Sequence, residues 1–242
     1  SNVELARQFK VSVETIRRDI IRLNKNGVLR RTHGGALSMK TFEPAYADRM
    51  ATNLDSKRAI AQVAASLVPD GAKVIIDFGT TAFCVAEALA NHNGLTIITS
   101  SLQTANFLAG RNGNEVVLMG GLLHPSEGAT LGRDATQILE NYYVDFSFVG
   151  AGVISDHPLL MDFSREAAEL RGLMLKQAVT SVVLADYTKF NRTAAHRVPN
   201  FEQAAFLVTD RKLDATTANS LSPFPQIVFI SSPAGFRGLP NA

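Results

Sequence analysis

Val11-Ser12-Val13-Glu14-Thr15-Ile16-Arg17-Arg18-Asp19-Ile20 decides how the first part of this chain folds. Ser12 offers a hydroxyl to the exposed amides of a following helix, which is the usual chemistry of a helix start. Val13, Ile16, Ile20 and Leu23 then recur at 3-4-3 spacing, the stripe of an amphipathic helix that buries one face. Arg18, Arg22 and Lys25 form a cationic line on another face, and Asn26-Gly27 closes the helix. Upstream, Val3 to Phe9 reads as a short helix with Leu5 and Phe9 on one side, joined by a turn at Lys10-Val11. Two helices with this short joint read as a helix-turn-helix, and the basic stretch Leu29 to Ala36 reads as a wing.

Charge supports that reading. Residues 1–40 hold nine Lys/Arg (Arg7, Lys10, Arg17, Arg18, Arg22, Lys25, Arg30, Arg31, Lys40) against Glu4, Glu14 and Asp19, a balance of +6. The other 202 residues hold 15 basic against 19 acidic side chains, a balance of −4, so the overall +2 conceals a polarised chain. An isolated charged helix face is usually just solvated. Helix-turn-helix spacing, a basic wing and a strong local excess of cations together point to double-stranded DNA. The expected DNA-contacting residues are Ser12, Glu14, Thr15, Arg17, Arg18, Arg22, Arg30, Arg31 and His33.

The rest of the chain alternates. Lys40 to Leu54, mixed and polar with Pro44, reads as a connection, giving expected boundaries of 1–40, 41–54 and 55–242. Helices are expected over Asp55–Val68, Thr81–Ala90 and Ser164–Ala178. Strands are expected at Lys73–Phe78, Leu95–Thr99, Val116–Met119, Asp145–Val149, Ser181–Ala185, Ala205–Thr209 and Gln226–Ile230. Strands apolar throughout, separated by helices, predict an α/β fold with a mainly parallel sheet covered on both faces. The single cysteine, Cys84, falls on an apolar helical stripe and reads as a core residue; one cysteine permits no internal disulfide, which fits a reducing cytoplasm. No apolar run approaches the roughly 20 residues that span a membrane. The five histidines are scattered, so no metal and no cofactor is expected.

Ligands of such sheets sit at the carboxyl ends of the strands. Those ends carry Asp77-Phe78-Gly79-Thr80-Thr81, Thr99-Ser100-Ser101, Gly120-Gly121, Gly150-Ala151-Gly152 and Asp186-Tyr187-Thr188-Lys189-Phe190. Gly79 lets backbone approach a ligand, hydroxyls donate, and a helix start presents unpaired amides to an oxyanion. Lys189 is the expected cation; Asp77 and Asp186 could accept from sugar hydroxyls, though Lys189 also reads as a solvated charge and Asp186 as a turn residue. The pocket expected from these ends comprises Asp77, Gly79, Thr80, Thr81, Ser100, Ser101, Gly120, Gly121, Gly150, Asp186 and Lys189.

Ser12-x-x-Thr15-Ile16-Arg17-Arg18-Asp19, Arg31-Thr32-His33-Gly34-Gly35-Ala36, Asp77-x-Gly79-Thr80-Thr81, Phe148-x-Gly150 and Asp186-x-Thr188-Lys189-Phe190 resemble the DeoR family of bacterial sugar-catabolism regulators. The resemblance implies a winged helix-turn-helix whose first helix would precede Ser1, followed by an effector domain similar to ribose-5-phosphate isomerase. It also implies a repressor modulated by a phosphorylated sugar and acting as a homo-oligomer, dimer or tetramer. Two departures stand out: Ser100 occupies a place where many members have Asn, and Val153 replaces a common glycine while Gly152 precedes it. The alternative is an enzyme, a sugar-phosphate isomerase or deaminase with an appended DNA reader, using Asp77, Glu166, Asp186 or Lys189 as base.

Overall fold

The computed structural model describes residues 1–25, 29–32, 34–38, 43–156, 159–224 and 227–231. The chain divides into two compact units, Ser1–Pro44 and Ala45–Ala242.

In the first unit, α1 (Asn2–Phe9) starts at a capping box in which the Ser1 hydroxyl accepts from the Glu4 amide and the Glu4 carboxylate accepts from the Ser1 backbone nitrogen. Lys10, in the left-handed region at φ 53°, turns the chain toward α2 (Val13–Lys25). Ser12 begins that helix by accepting from the Thr15 amide at 3.0 Å. Ala6, Ile16 and Ile20 form the small core, with Leu5, Leu29 and Ala36 packed against it. Phe9 and Val13, expected on buried faces, are instead 62% and 40% exposed. The antiparallel hairpin β1 (Leu29–Thr32) and β2 (Gly35–Ser38) pairs Arg30 with Leu37 and Arg31 with Ala36. His33 lies outside the described residues.

The second unit opens with α3 (Tyr46–Ala51) and α4 (Leu54–Ala65), then β3 (Lys73–Ile76), α5 (Thr80–Ala88), β4 (Thr96–Thr99), α6 (Leu102–Leu108) and β5 (Glu115–Leu118). A hairpin of β6 (Leu122–His124) and β7 (Ala129–Leu131) leads to α7 (Arg133–Leu139) and β8 (Val144–Gly150). Then follow β9 (Val153–Ile154), β10 (Leu160–Asp162), α8 (Arg165–Lys176), β11 (Ala178–Leu184), β12 (His196–Arg197), β13 (Phe206–Thr209), α9 (Ala215–Ser220) and β14 (Val228–Ser231). Seven strands form one sheet in the order β14-β13-β11-β8-β3-β4-β5, every adjacent pair parallel. Short antiparallel pieces, β6 with β7 and β12-β10-β9, stand apart from it.

The sheet order follows from handedness. From β3 the chain steps through α5 to β4 and through α6 to β5, moving one way along the sheet. From β8 it steps through α8 to β11 and onward to β13 and β14, moving the other way. Right-handed crossovers in opposite directions must place their helices on opposite faces. Accordingly Ile60, Val63, Val85 and Leu89 pack with Val74 and Ile76 on one face, while Leu139, Leu170 and Met174 pack with Ile75 on the other. The direction reverses between β3 and β8, which opens a crevice above their carboxyl ends.

Two expectations are corrected. The segment 41–54, read as connection, holds α3, whose Arg49 is buried and ion-paired to Glu127 in the β6–β7 turn; a charged residue at a buried position hid the helix from a hydrophobic pattern. β11 starts at Ala178 rather than Ser181, because Ala178 and Thr180 pair with Val144 and Phe146 of β8.

Two glycines permit close approaches around α8. A Cβ on Gly152 would sit 2.6 Å from the Met161 carbonyl oxygen, and one on Gly172 would sit 2.6 Å from Cδ of Pro199. An ordinary glycine inside a helix gains stability on replacement by alanine, by up to about 1 kcal/mol. Gly172→Ala is expected to reverse that sign and lower the stability to urea unfolding by about 1–3 kcal/mol, since the pyrrolidine ring and the helix must separate; an unchanged or raised midpoint would show that the packing yields.

Candidate anion site at the sheet switch point

The crevice rests on a buried charge network. Just beyond β3, the Asp77 amide donates to the Phe148 carbonyl at 3.0 Å and keeps β3 and β8 together past the last ladder pair. The Asp77 carboxylate accepts from the Phe78 amide (2.8 Å), the Gly150 amide (2.9 Å) and Nε of Arg171 (2.8 Å). Nη1 of Arg171 donates in turn to Asp162, whose other oxygen accepts from the Ser164 amide at 3.0 Å. All three charged side chains are sealed, none more than 4% exposed. Burial pushes the Asp77 carboxyl up from its ordinary value, while Arg171 and the two amides pull it down. Arg171 also lies over the Phe78 ring, 4.5 Å from its centroid.

This network explains the glycines above it. A Cβ at Gly150 would meet the Asp77 carboxylate at 3.2 Å and Arg171 at 4.0 Å; one at Gly79 would meet Arg171 at 3.8 Å. Gly79 also adopts φ 108°, which side chains of L residues rarely take. Asp77, expected as an acceptor for sugar hydroxyls, is fully buried and supports the Phe78–Gly79 and Gly150 backbone.

On that support, α5 begins at Gly79 with no side chain capping its first turn. An uncapped helix start directs amide hydrogens and the positive end of the helix dipole into the crevice. Gly79 is partly exposed, whereas Thr80 and Thr81 are 6% and 8% exposed. Neither threonine hydroxyl is engaged by a side-chain hydrogen bond among the described residues.

Next to Gly150, the end of β11 brings Asp186 and Lys189. Asp186 is buried and accepts from the amide and hydroxyl of Thr188 and from Nδ2 of Asn53 at 3.4 Å. It thus shapes the one-turn 3-10 segment that holds the partly buried Lys189 at the rim. Ser100 and Ser101 sit past β4, on the other side of β3. Ser100 is sealed, and Ser101 caps α6 by accepting from the Thr104 amide at 3.2 Å. Both lie beneath the β6–β7 hairpin, through the Thr130 amide to the Ser100 carbonyl and a bridge between Ser101 and Ala129. Gly120 and Gly121 follow the edge strand β5, two strands from the switch point; a Cβ on Gly121 would meet Asp134 and the Leu131 carbonyl at 3.3 Å. Gly120 is partly buried and Gly121 exposed, both alongside the start and side of α7.

One charged residue at this site was missed. Lys57, only 3% exposed, lies on the buried side of α4 among Ile60, Ala61 and Ala64, and its ammonium donates to the Arg49 carbonyl at the end of α3. Burial holds it down to about 8, with Asp186 acting against that and Lys189 and Arg49 adding to it. A signal was available: 57, 60 and 64 share one helical face, and a lysine in an apolar stripe needs a reason. Cys84, on α5, is buried as expected, and its thiol is pushed up to about 11 by burial.

In the first unit, Arg17, Arg18 and Arg22 project from α2 with side chains 55%, 80% and 74% exposed. Glu14 lies 3.3 Å from Arg17 and 3.8 Å from Arg18, and Asp19 lies 3.8 Å from Arg22. Such exposed pairs are weak and are readily exchanged for phosphate contacts. Ser12 and Thr15 are joined at the helix start, their hydroxyl oxygens 2.8 Å apart. Arg30 and Arg31 lie on the wing strand β1.

The floor network makes a clear demand. Arg171→Met leaves two buried carboxylates without their cation and is expected to lower unfolding stability by about 3–5 kcal/mol. A loss below about 1 kcal/mol in urea denaturation would mean the carboxylates are neutral or hydrated.

Residues 2–42 match the DeoR-like helix-turn-helix domain and residues 52–211 the DeoR C-terminal sensor domain. The chain is 35% identical over 208 residues to the HTH-type transcriptional repressor CsqR of Escherichia coli K12, covering 86% of this chain and 80% of that protein. It is 31% identical over 211 residues to the glycerol-3-phosphate regulon repressor of the same organism, covering 87% and 84%. Among solved structures, ribose 5-phosphate isomerase A of Methanocaldococcus jannaschii is similar with a TM-score of 0.42 and 23% identity, covering 57% of this chain and 55% of that one. With both domains matched in order and relatives aligned over most of their length, the chain belongs to the DeoR family.

Proposed function

We propose that this protein is a transcriptional regulator, a repressor of a sugar-catabolism operon, whose affinity for operator DNA changes when a phosphorylated sugar or sugar derivative binds. Residues 1–40 read double-stranded DNA, and residues 55–242 bind the effector and assemble the protein as a dimer or tetramer. The carrying observation is the uncapped start of α5 at the β3/β8 switch point, with Gly79 at φ 108° and Lys189 at the neighbouring strand end. That arrangement suits an oxyanion with no P-loop lysine. Gly79, Thr80, Thr81, Gly150 and Lys189 are its contacts, while Asp77 and Asp186 hold those contacts in place. The names of two relatives describe repressors, one of them of a glycerol-3-phosphate regulon, which supports a regulatory role.

The enzyme reading is weaker on the same geometry. Proton transfer beside a carbonyl needs a base within reach of substrate. Asp77 is sealed against Arg171, and Asp186 is buried and engaged by Thr188 and Asn53.

Titrating sugar phosphates while following operator binding and thermal unfolding tests the reading, because a true effector raises stability by mass action and shifts DNA affinity together. A panel that changes neither would refute it. For the reader, the Arg18→Glu/Arg22→Glu double variant is expected to weaken binding to DNA from upstream of the regulated genes and to flatten its salt dependence. Each lost phosphate contact removes about 0.9 from the log–log slope. An unchanged slope would remove α2 from the interface.

A further inference from the structure

The seven-stranded sheet ends at β5, which is bonded to β4 alone. The Glu115 amide donates to the Leu95 carbonyl and the Met119 amide to the Thr99 carbonyl, both at 2.8 Å. A strand in a parallel sheet turns the backbone groups of alternate residues toward a given neighbour. Glu115, Val117 and Met119 therefore serve β4, while Val116 and Leu118 turn their amides and carbonyls away from the sheet. Among the described residues those outward groups have no partner. Sheet edges are ordinarily guarded by lysine, proline or a bulge. β5 has none of these: its one charge is Glu115 at the first residue, and Leu118 is 41% exposed.

The surroundings are equally bare of charge. No Asp, Glu, Lys or Arg occurs from Val116 to Leu123, or from Leu95 to Gly110, the stretch that contains α6. Leu108 of α6 packs into the same core as Val116, and the outer positions Gln103 and Asn106 of that helix are exposed and uncharged. Leu122, just past the strand, is 75% exposed, the most of any large apolar side chain among the described residues of the second unit. Loss of charge around exposed apolar groups is the composition of an interface centre rather than of a solvated surface.

We infer that β5 is the seam of a two-fold dimer, in which it pairs antiparallel with β5 of a second copy to make one continuous sheet. The inference rests on the reading that residues 55–242 assemble the protein, and it names the surface they use. A second copy is the occupant because the edge complements itself. With Val117 on the two-fold axis, Val116 stands opposite the partner's Leu118 and exchanges both backbone bonds with it. Leu118 does the same with the partner's Val116, so every outward group of the strand is used. Glu115 stands across from the partner's Met119, which keeps the two glutamates at opposite ends of the seam and prevents like charges from meeting. So short a strand pair covers less than the roughly 800 Å² per partner of a stable dimer. The same symmetry sets α6 on one side of the joined sheet beside α6 of the partner, adding a second uncharged contact.

The test is sedimentation velocity on the full chain over a range of micromolar concentrations. The wild type is expected to be a dimer or tetramer, and Leu118→Lys to halve its mass by putting a charge into the seam. Leu118→Pro is expected to do the same through the backbone alone. It deletes an amide that β4 does not use, and an edge strand tolerates proline at a residue facing outward. Val117→Cys reads the register. Cα atoms of a non-hydrogen-bonded antiparallel pair lie about 4.5 Å apart, within reach of a disulfide. Because Cys84 is buried, mild oxidation of Val117→Cys is expected to give a covalent dimer through position 117. Should the proline variant not fold, Leu118→Lys and the crosslink decide. Wild-type mass in a folded Leu118 variant, or no crosslink in Val117→Cys, overturns the seam and leaves the oligomer reading standing. A wild type that is monomeric throughout overturns both.

Discussion

Arg171 holds two aspartates from different parts of the chain, Asp77 at the end of β3 and Asp162 at the end of β10, in a space closed to solvent. Replacing such a network with apolar groups could be neutral or favourable for stability, so its value lies in geometry more than in energy. Asp77 draws the amides of Phe78 and Gly150 toward one carboxylate, which fixes the backbone on both sides of the switch point. Once those strands are fixed, the start of α5 has one orientation and Gly79 must accept a positive φ. The crevice is thus preorganised from beneath: its surface is backbone, and its side chains are mostly structural supports.

Charge is distributed in the same two-part manner along the chain. The DNA-reading unit carries its cations exposed on α2, where counterion exchange with DNA is rapid and contacts are cheap to make and break. The second unit instead buries several of its cations: Arg49, Lys57 and Arg171 are each under a tenth exposed, where charge is screened little by water.

Much of this was legible in the residues. Seven apolar runs separated by helical stretches implied the parallel sheet, and Ser12 with Ile16 and Ile20 marked α2 and its buried face. Less visible was whatever depended on charged residues at buried positions. Asp77 looked like a ligand because a carboxylate at a strand end is chemically attractive, and its partner Arg171 is 94 residues away with no pattern linking the two. Arg49 made α3 look like polar connection, and Lys57 sat unremarked within a helix that was otherwise correctly placed. The β6–β7 hairpin and the β9, β10 and β12 pieces escaped because strands of two or three residues carry too little alternation to register. Gly120 and Gly121 show a different ambiguity, since a glycine pair serves close packing as readily as it serves a ligand.

The most direct test of the central claim is a crystal structure grown with a phosphomonoester bound. The account predicts phosphate density over the Gly79–Thr80–Thr81 turn, within hydrogen-bonding distance of the first amides of α5 and facing the end of β11, with the Asp77–Arg171–Asp162 network unmoved beneath it. A phosphate found at the Gly120–Gly121 edge or anywhere else away from the β3/β8 crevice would contradict it.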